Sequence, residues 1–152
     1  MERSPRPTGR RANRRRGQAL VEFALVFPIF MLVLSGIMDF GFMLYQRMSV
    51  INASREGAHA AIIVSNASTI VLMAQQTANS SATQGGVTPS SVTVQCVSAG
   101  GSNLPDCGSA VNGDTVIVTV NYIYHPFFPL LVGTSLNLSS TTQMVLEGLP
   151  AT

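Results

Sequence analysis

The chain has 152 residues, room for one compact domain with an accessory element and too few for two full-size domains. It is 46% hydrophobic and 11% charged, against about 25% charged in soluble globular domains, which argues against an ordinary cytosolic enzyme. The net charge of +2 averages two unlike parts: seven arginines and Glu2 give residues 1–16 a charge of +6, while Arg47 and Arg55 against six acids leave −4 in the remainder.

The arginine cluster, Arg3 to Arg16, is followed by an apolar run. From Phe23 to Tyr45 the only charge is Asp39, and Ser35 is the only hydroxyl before Tyr45. As a helix, Gln18 to Tyr45 extends about 42 Å at 1.5 Å per residue, more than the roughly 30 Å of bilayer hydrocarbon. Ala24 to Leu34 shows no polar face, which the buried stripe of a core helix would leave. A membrane span from about Leu20 to Tyr45 is therefore expected, with the N-terminus cytoplasmic because retained flanks are arginine-rich. A nucleic-acid arm is disfavoured, since the basic run abuts the span and lacks interleaved aromatics. The apolar run is too long for a secretory or twin-arginine signal, and no small-residue cleavage site follows it. Pro28 predicts a kink or a loosened turn, because it cannot donate to the Ala24 carbonyl. Asp39 falls near the outer end of the span, where water or headgroups would solvate it or a partner subunit would contact it.

Glu22 alone is explained by the positive end of a helix dipole. Its context is more specific. Gly17-Gln18-Ala19-Leu20-Val21-Glu22-Phe23, directly after the arginines, resembles the processing site of type IV pilin-like proteins. With Met38-Asp39-Phe40-Gly41 and the stretch Asn52 to Ala61, residues 15–62 are similar to the TadE-like family of minor pseudopilins, part of the tight adherence pilus machinery. Phe42 and His59 stand where the resemblance leads one to expect arginine. The resemblance implies that residues 1–17 are a cytoplasmic leader removed after Gly17 by a prepilin peptidase. It also implies that the new amine of Gln18 pairs with Glu22 of a neighbouring subunit, and that Phe23 belongs to the same processing site. The implied partners are the bilayer, the peptidase, other pilin or pseudopilin subunits and the assembly platform, all at a bacterial cell membrane.

A helical pattern continues from Gln46 to about Val64, with Met48, Ile51, Ala58 and Ile62 on its apolar side and Arg55 and Glu56 on its wet side. Residues 18–64 thus form one long helix, and residues 65–152 a small extracytoplasmic domain. In that domain a second helix is expected over Ala67 to Ala78, ended by the Asn, Ser, Thr and Gly of residues 79–91. Alternation then marks strands at 92–96 and 115–124, with a third, whole or broken, at 136–147. His125 to Leu131 holds too many prolines for a central strand, and is an apolar connection that folds back on the long helix or stays exposed. The fold class expected is α+β: a transmembrane helix extending into a domain with a second helix and a three-stranded antiparallel sheet.

Cys96 and Cys107 enclose a Gly- and Ser-rich loop, so a disulfide facing an oxidising space is expected, with two free thiols as the alternative. Two Cys and two distant His make no recognisable metal spacing, and no GxSxG, HExxH, CxxC or phosphate-binding Gly loop is present. No catalytic, cofactor or metal residues are assigned. Two functions compete: a cleaved structural and assembly subunit, or a binding module held in the cell envelope by an uncleaved anchor.

Overall fold

Residues 10–62 are rich in Ala, Leu, Arg and Met, all good helix formers, and the computed structural model carries one helix, α1, over Arg10–Ile62. The structure describes residues 10–129, 133–147 and 149, with side chains described from Gly17 onward. The side chains of the N-terminal arginine cluster, and Leu130-Leu131 of the apolar connection, lie outside the described residues. Helix α1 is continuous through Pro28. It contributes to two units, residues 1–38 and 39–152.

In the first unit every side chain from Gly17 to Leu34 is exposed. Phe23 and Phe27, one turn apart, bring their ring centroids to 5.2 Å. The lone hydroxyl of the run is satisfied within the helix: Ser35 Oγ donates to the Met31 carbonyl at 2.7 Å, so it puts no bare polar group into an apolar medium.

The second unit has an α+β fold. After the α1 segment from Asp39 to Ile62 come a 3-10 turn (Ala67–Thr69), helix α2 (Ile70–Gln84), and strands β1 (Ser91–Val97), β2 (Thr115–Tyr124) and β3 (Leu136–Val145). The sheet is antiparallel in the order β1-β2-β3. Its register aligns Val94 with Val118 and Val118 with Thr142, so Val92, Val94, Cys96, Val116, Val118, Val120 and Met144 share the inner face. The opposite face mixes Thr, Ser, Asn and Gln with Ile117, Ile123 and Val145, and its Thr119 and Thr141 hydroxyls are 2.9 Å apart.

Both helices cover the inner face. On α2 the residues Ile70, Ala74, Ala78 and Ala82 are fully buried, a ridge spaced four apart. On α1 the buried positions are Asp39, Ser49, Val50, Ala53, Ser54, Gly57, Ala58, Ala60 and Ala61, whereas Met48, expected on the apolar side, is exposed. Gly57 lies where α1 meets both layers: a Cβ there would come within 2.8 Å of Ala78 Cβ and 3.2 Å of Val118 Cγ1.

Helix α2 runs six residues past its expected end at Ala78. The polar residues that argue for a stop spend their side chains on the helix instead. Asn79 Nδ2 donates to the Gln75 carbonyl (2.8 Å), Ser80 Oγ to that of Thr77 (2.9 Å) and Thr83 Oγ1 to that of Asn79 (2.8 Å). The helix ends instead in a Schellman motif. Gly86 takes φ +73°, and Gly86 N–H donates to Thr83 and Val87 N–H to Ala82. The buried Val87 and Ala82 supply the apolar contact that accompanies it.

The third strand is unbroken from Leu136 to Val145. Its Ser140 and Thr142 face the core opposite Ser54 of α1, each hydroxyl 2.9 Å from Ser54 Oγ. Because Ser54 donates its single proton to the Ile51 carbonyl at 2.9 Å, both partners donate to Ser54, and the buried Ser54 and the two half-buried hydroxyls are all satisfied. Cys96 and Cys107 form the expected disulfide, with Cα atoms 5.3 Å apart, closing the long β1–β2 connection.

Candidate functional site

The residues predicted for processing sit on one exposed stretch of α1. Gly17 and Gln18 fall inside the helix, and among the described residues nothing lies within 4 Å of where a Gly17 Cβ would be. Gln18 and Glu22 are one turn apart, which puts them on the same face. Phe23, 61% exposed, follows with its ring against Phe27. Glu22 meets no basic partner among the described residues. Leu20 and Tyr45, the ends assigned to the span, are both exposed.

Asp39 is different. It is 2% exposed, neither solvated nor held out to another subunit as the sequence suggests, because its own chain supplies the donors. Phe127 N–H donates to Oδ1 at 2.9 Å and Phe128 N–H to Oδ2 at 3.0 Å. Tyr124 OH donates to the Asp39 backbone carbonyl at 3.1 Å, with Oδ1 3.4 Å away. The arrangement follows from the strand. Inner-face alternation brings Tyr124 round at the end of β2, Pro126 stops the ladder, and the next two N–H groups are left without a strand partner.

Phe127 also brings its ring centroid to 5.5 Å from that of Phe42. The apolar connection therefore folds back on α1 through its backbone while its rings stay partly exposed, Phe127 at 68% and Phe128 at 44%. Burial, then the Asp39 charge and the hydrogen bond to it, and last Tyr122, raise the Tyr124 phenol above its ordinary range.

A second buried carboxylate, overlooked in the sequence, works the same way. Asp114 accepts from Ala99 N–H through Oδ1 (3.0 Å) and from Val111 N–H through Oδ2 (2.9 Å), which pins the β1–β2 connection on either side of the disulfide. Its only signal in the sequence is an Asp after Gly113, just before a strand. Among the described residues no group of His, Cys, Asp and Glu is arranged to hold a metal.

One helix among the described residues is long and apolar enough to cross a membrane. The family model described as TadE-like protein matches residues 17–59. That match begins at the Gly17 assigned to processing and takes in Glu22, Asp39 and most of the small-residue face of α1. No curated protein and no solved structure matches. Residues 17–59, the greater part of α1, are thus similar to the TadE-like family.

Proposed function

We propose that the chain is a minor pseudopilin-like structural and assembly subunit of a tight adherence pilus system, cleaved after Gly17 by a prepilin peptidase, with no enzymatic activity of its own. The observation that carries this reading is the coincidence of the family match, which starts at Gly17, with an exposed helical stretch bearing Gln18 and Glu22 on one face.

The chemistry follows from the residue types. A protease needs its scissile bond out of the helix, and glycine makes local unwinding cheaper by about 1 kcal/mol relative to alanine. Cleavage leaves an amine at Gln18. In an apolar setting an isolated carboxylate is penalised far more than a paired one, so Glu22 sets the register of one helix against its neighbour by receiving that amine. Loss of the leader also removes the +6 charge that retains the N-terminus in the cytoplasm.

A span shorter than Leu20 to Tyr45 is part of this proposal. The second unit starts at Asp39, which binds its own loop, so residues 18–38 are left to cross the bilayer. These residues extend about 32 Å as a helix, close to the hydrocarbon thickness.

In cells holding the matching peptidase and pilus machinery, Gly17→Leu is expected to leave the precursor uncut. Glu22→Ala is expected to be cut yet to fall out of the assembled fraction. Normal maturation of Gly17→Leu would remove the site assignment, and wild-type assembly of Glu22→Ala would remove the charge-pair account.

A further inference from the structure

We propose that the Pro126–Pro129 turn is a second membrane contact, with Phe127 and Phe128 entering the boundary between headgroups and acyl chains. The inference rests on the reading that residues 18–38 cross the bilayer.

Connectivity fixes the depth. Asp39 follows Met38, the last residue of that span, by one peptide bond, and it binds both backbone N–H groups of the turn. A segment bonded to the residue that leaves the membrane is held at the membrane's edge. The turn is also chemically prepared for that position. From Thr115 to Leu146 the sequence contains no Asp, Glu, Lys or Arg. At the turn itself two consecutive large apolar side chains point outward, Phe127 at 68% and Phe128 at 44% exposure.

Loops rarely enter an apolar phase, because bare N–H groups are expensive there. Here the two N–H groups at risk are already taken by Asp39, and the carboxylate is satisfied by the same bonds. Phe42, 45% exposed with its ring tilted against that of Phe127, extends the apolar surface along α1. The membrane is the occupant this surface fits, since the same chain already enters it at Asp39.

The chain has no tryptophan, so single-Trp variants report on one site each. The full-length protein carrying Phe127→Trp, Leu32→Trp or Leu72→Trp would be reconstituted in vesicles of phosphatidylcholine and phosphatidylglycerol with brominated acyl chains. Leu32 lies in the span, and Leu72 is an exposed residue of α2. Phe127→Trp is expected to lose most of its emission, most strongly with bromines near the headgroup end. Leu32→Trp should respond to deeper bromines, and Leu72→Trp only to iodide in the water. If Leu32→Trp is quenched by lipid and Phe127→Trp is not, the turn does not touch the bilayer and the spanning helix stands. If neither responds to brominated lipid, both readings fail. Phe127→Trp shielded from iodide and lipid alike is covered by protein, which also overturns the proposal.

Discussion

A carboxylate inside an apolar helix is tolerable only where donors reach it, and the donors that reach Asp39 are backbone groups 88 and 89 residues further along the chain. Removing the acceptor leaves those part-buried N–H groups without it. Asp39→Ala is expected to destabilise the domain by about 1–3 kcal/mol, measured by denaturant unfolding in detergent with circular dichroism. Tyr124→Phe removes one hydrogen bond and should cost about 1 kcal/mol at neutral pH.

The two substitutions also differ in pH dependence. The phenol is raised in the folded protein, so its contribution is fully present below the unfolded value near 10 and is lost as pH rises through the folded value. Wild-type stability should therefore fall more steeply above pH ~10 than that of Tyr124→Phe. Parallel alkaline profiles would show that the phenol is not held by burial and Asp39. The sequence makes Asp39 conspicuous and hides its partner, because a free backbone N–H carries no side-chain signature. Asp114 was missed for the same reason.

At the scale of elements, small residues decide how closely layers approach. Gly57 meets Ala78, the Ala74 carbonyl and Val118, and none of these contacts is the flexible end of a long side chain. An alanine there gains up to about 1 kcal/mol of helix propensity and loses about 1–3 kcal/mol to overpacking, so Gly57→Ala is expected to lower stability. Gly41→Ala is the control: nothing lies within 4 Å of the added methyl, and stability should hold or rise. Equal effects of the two in the same unfolding assay would mean that α1 does not pack tightly at Gly57.

The strands were legible from alternation alone, since β2 repeats Val on every second residue of a half-buried sheet. The end of α2 was not. Asn79, Ser80 and Thr83 favour turns when their side chains compete for the backbone, but a buried Ala82 keeps the chain helical and those side chains bond back to it. The true stop is the left-handed Gly86, one of two adjacent glycines that the pattern offers without ranking.

The whole molecule divides its labour along one helix. Its first part is apolar on all sides and exposed from Gly17 to Leu34, and its last part is the small-residue face of a disulfide-closed domain. The TadE-like resemblance was legible because its first motif is local: Gly17, Gln18, Glu22 and Phe23 stand within seven consecutive residues. The contact that sets the proposed outer limit of the span has no local signal, because Phe40, Phe42, Leu44 and Tyr45 continue the apolar run past Asp39, which binds a loop far along the chain.

Proteolysis after Gly17 would exchange a +6 leader for a chain whose side chains sum to −4 with one new amine. The decisive measurement is the mature N-terminus: intact mass and N-terminal sequencing of the assembled fraction from cells that hold the matching prepilin peptidase. The account predicts a species that begins at Gln18 and lacks the first seventeen residues. An assembled, functional species that still begins at Met1 would contradict it.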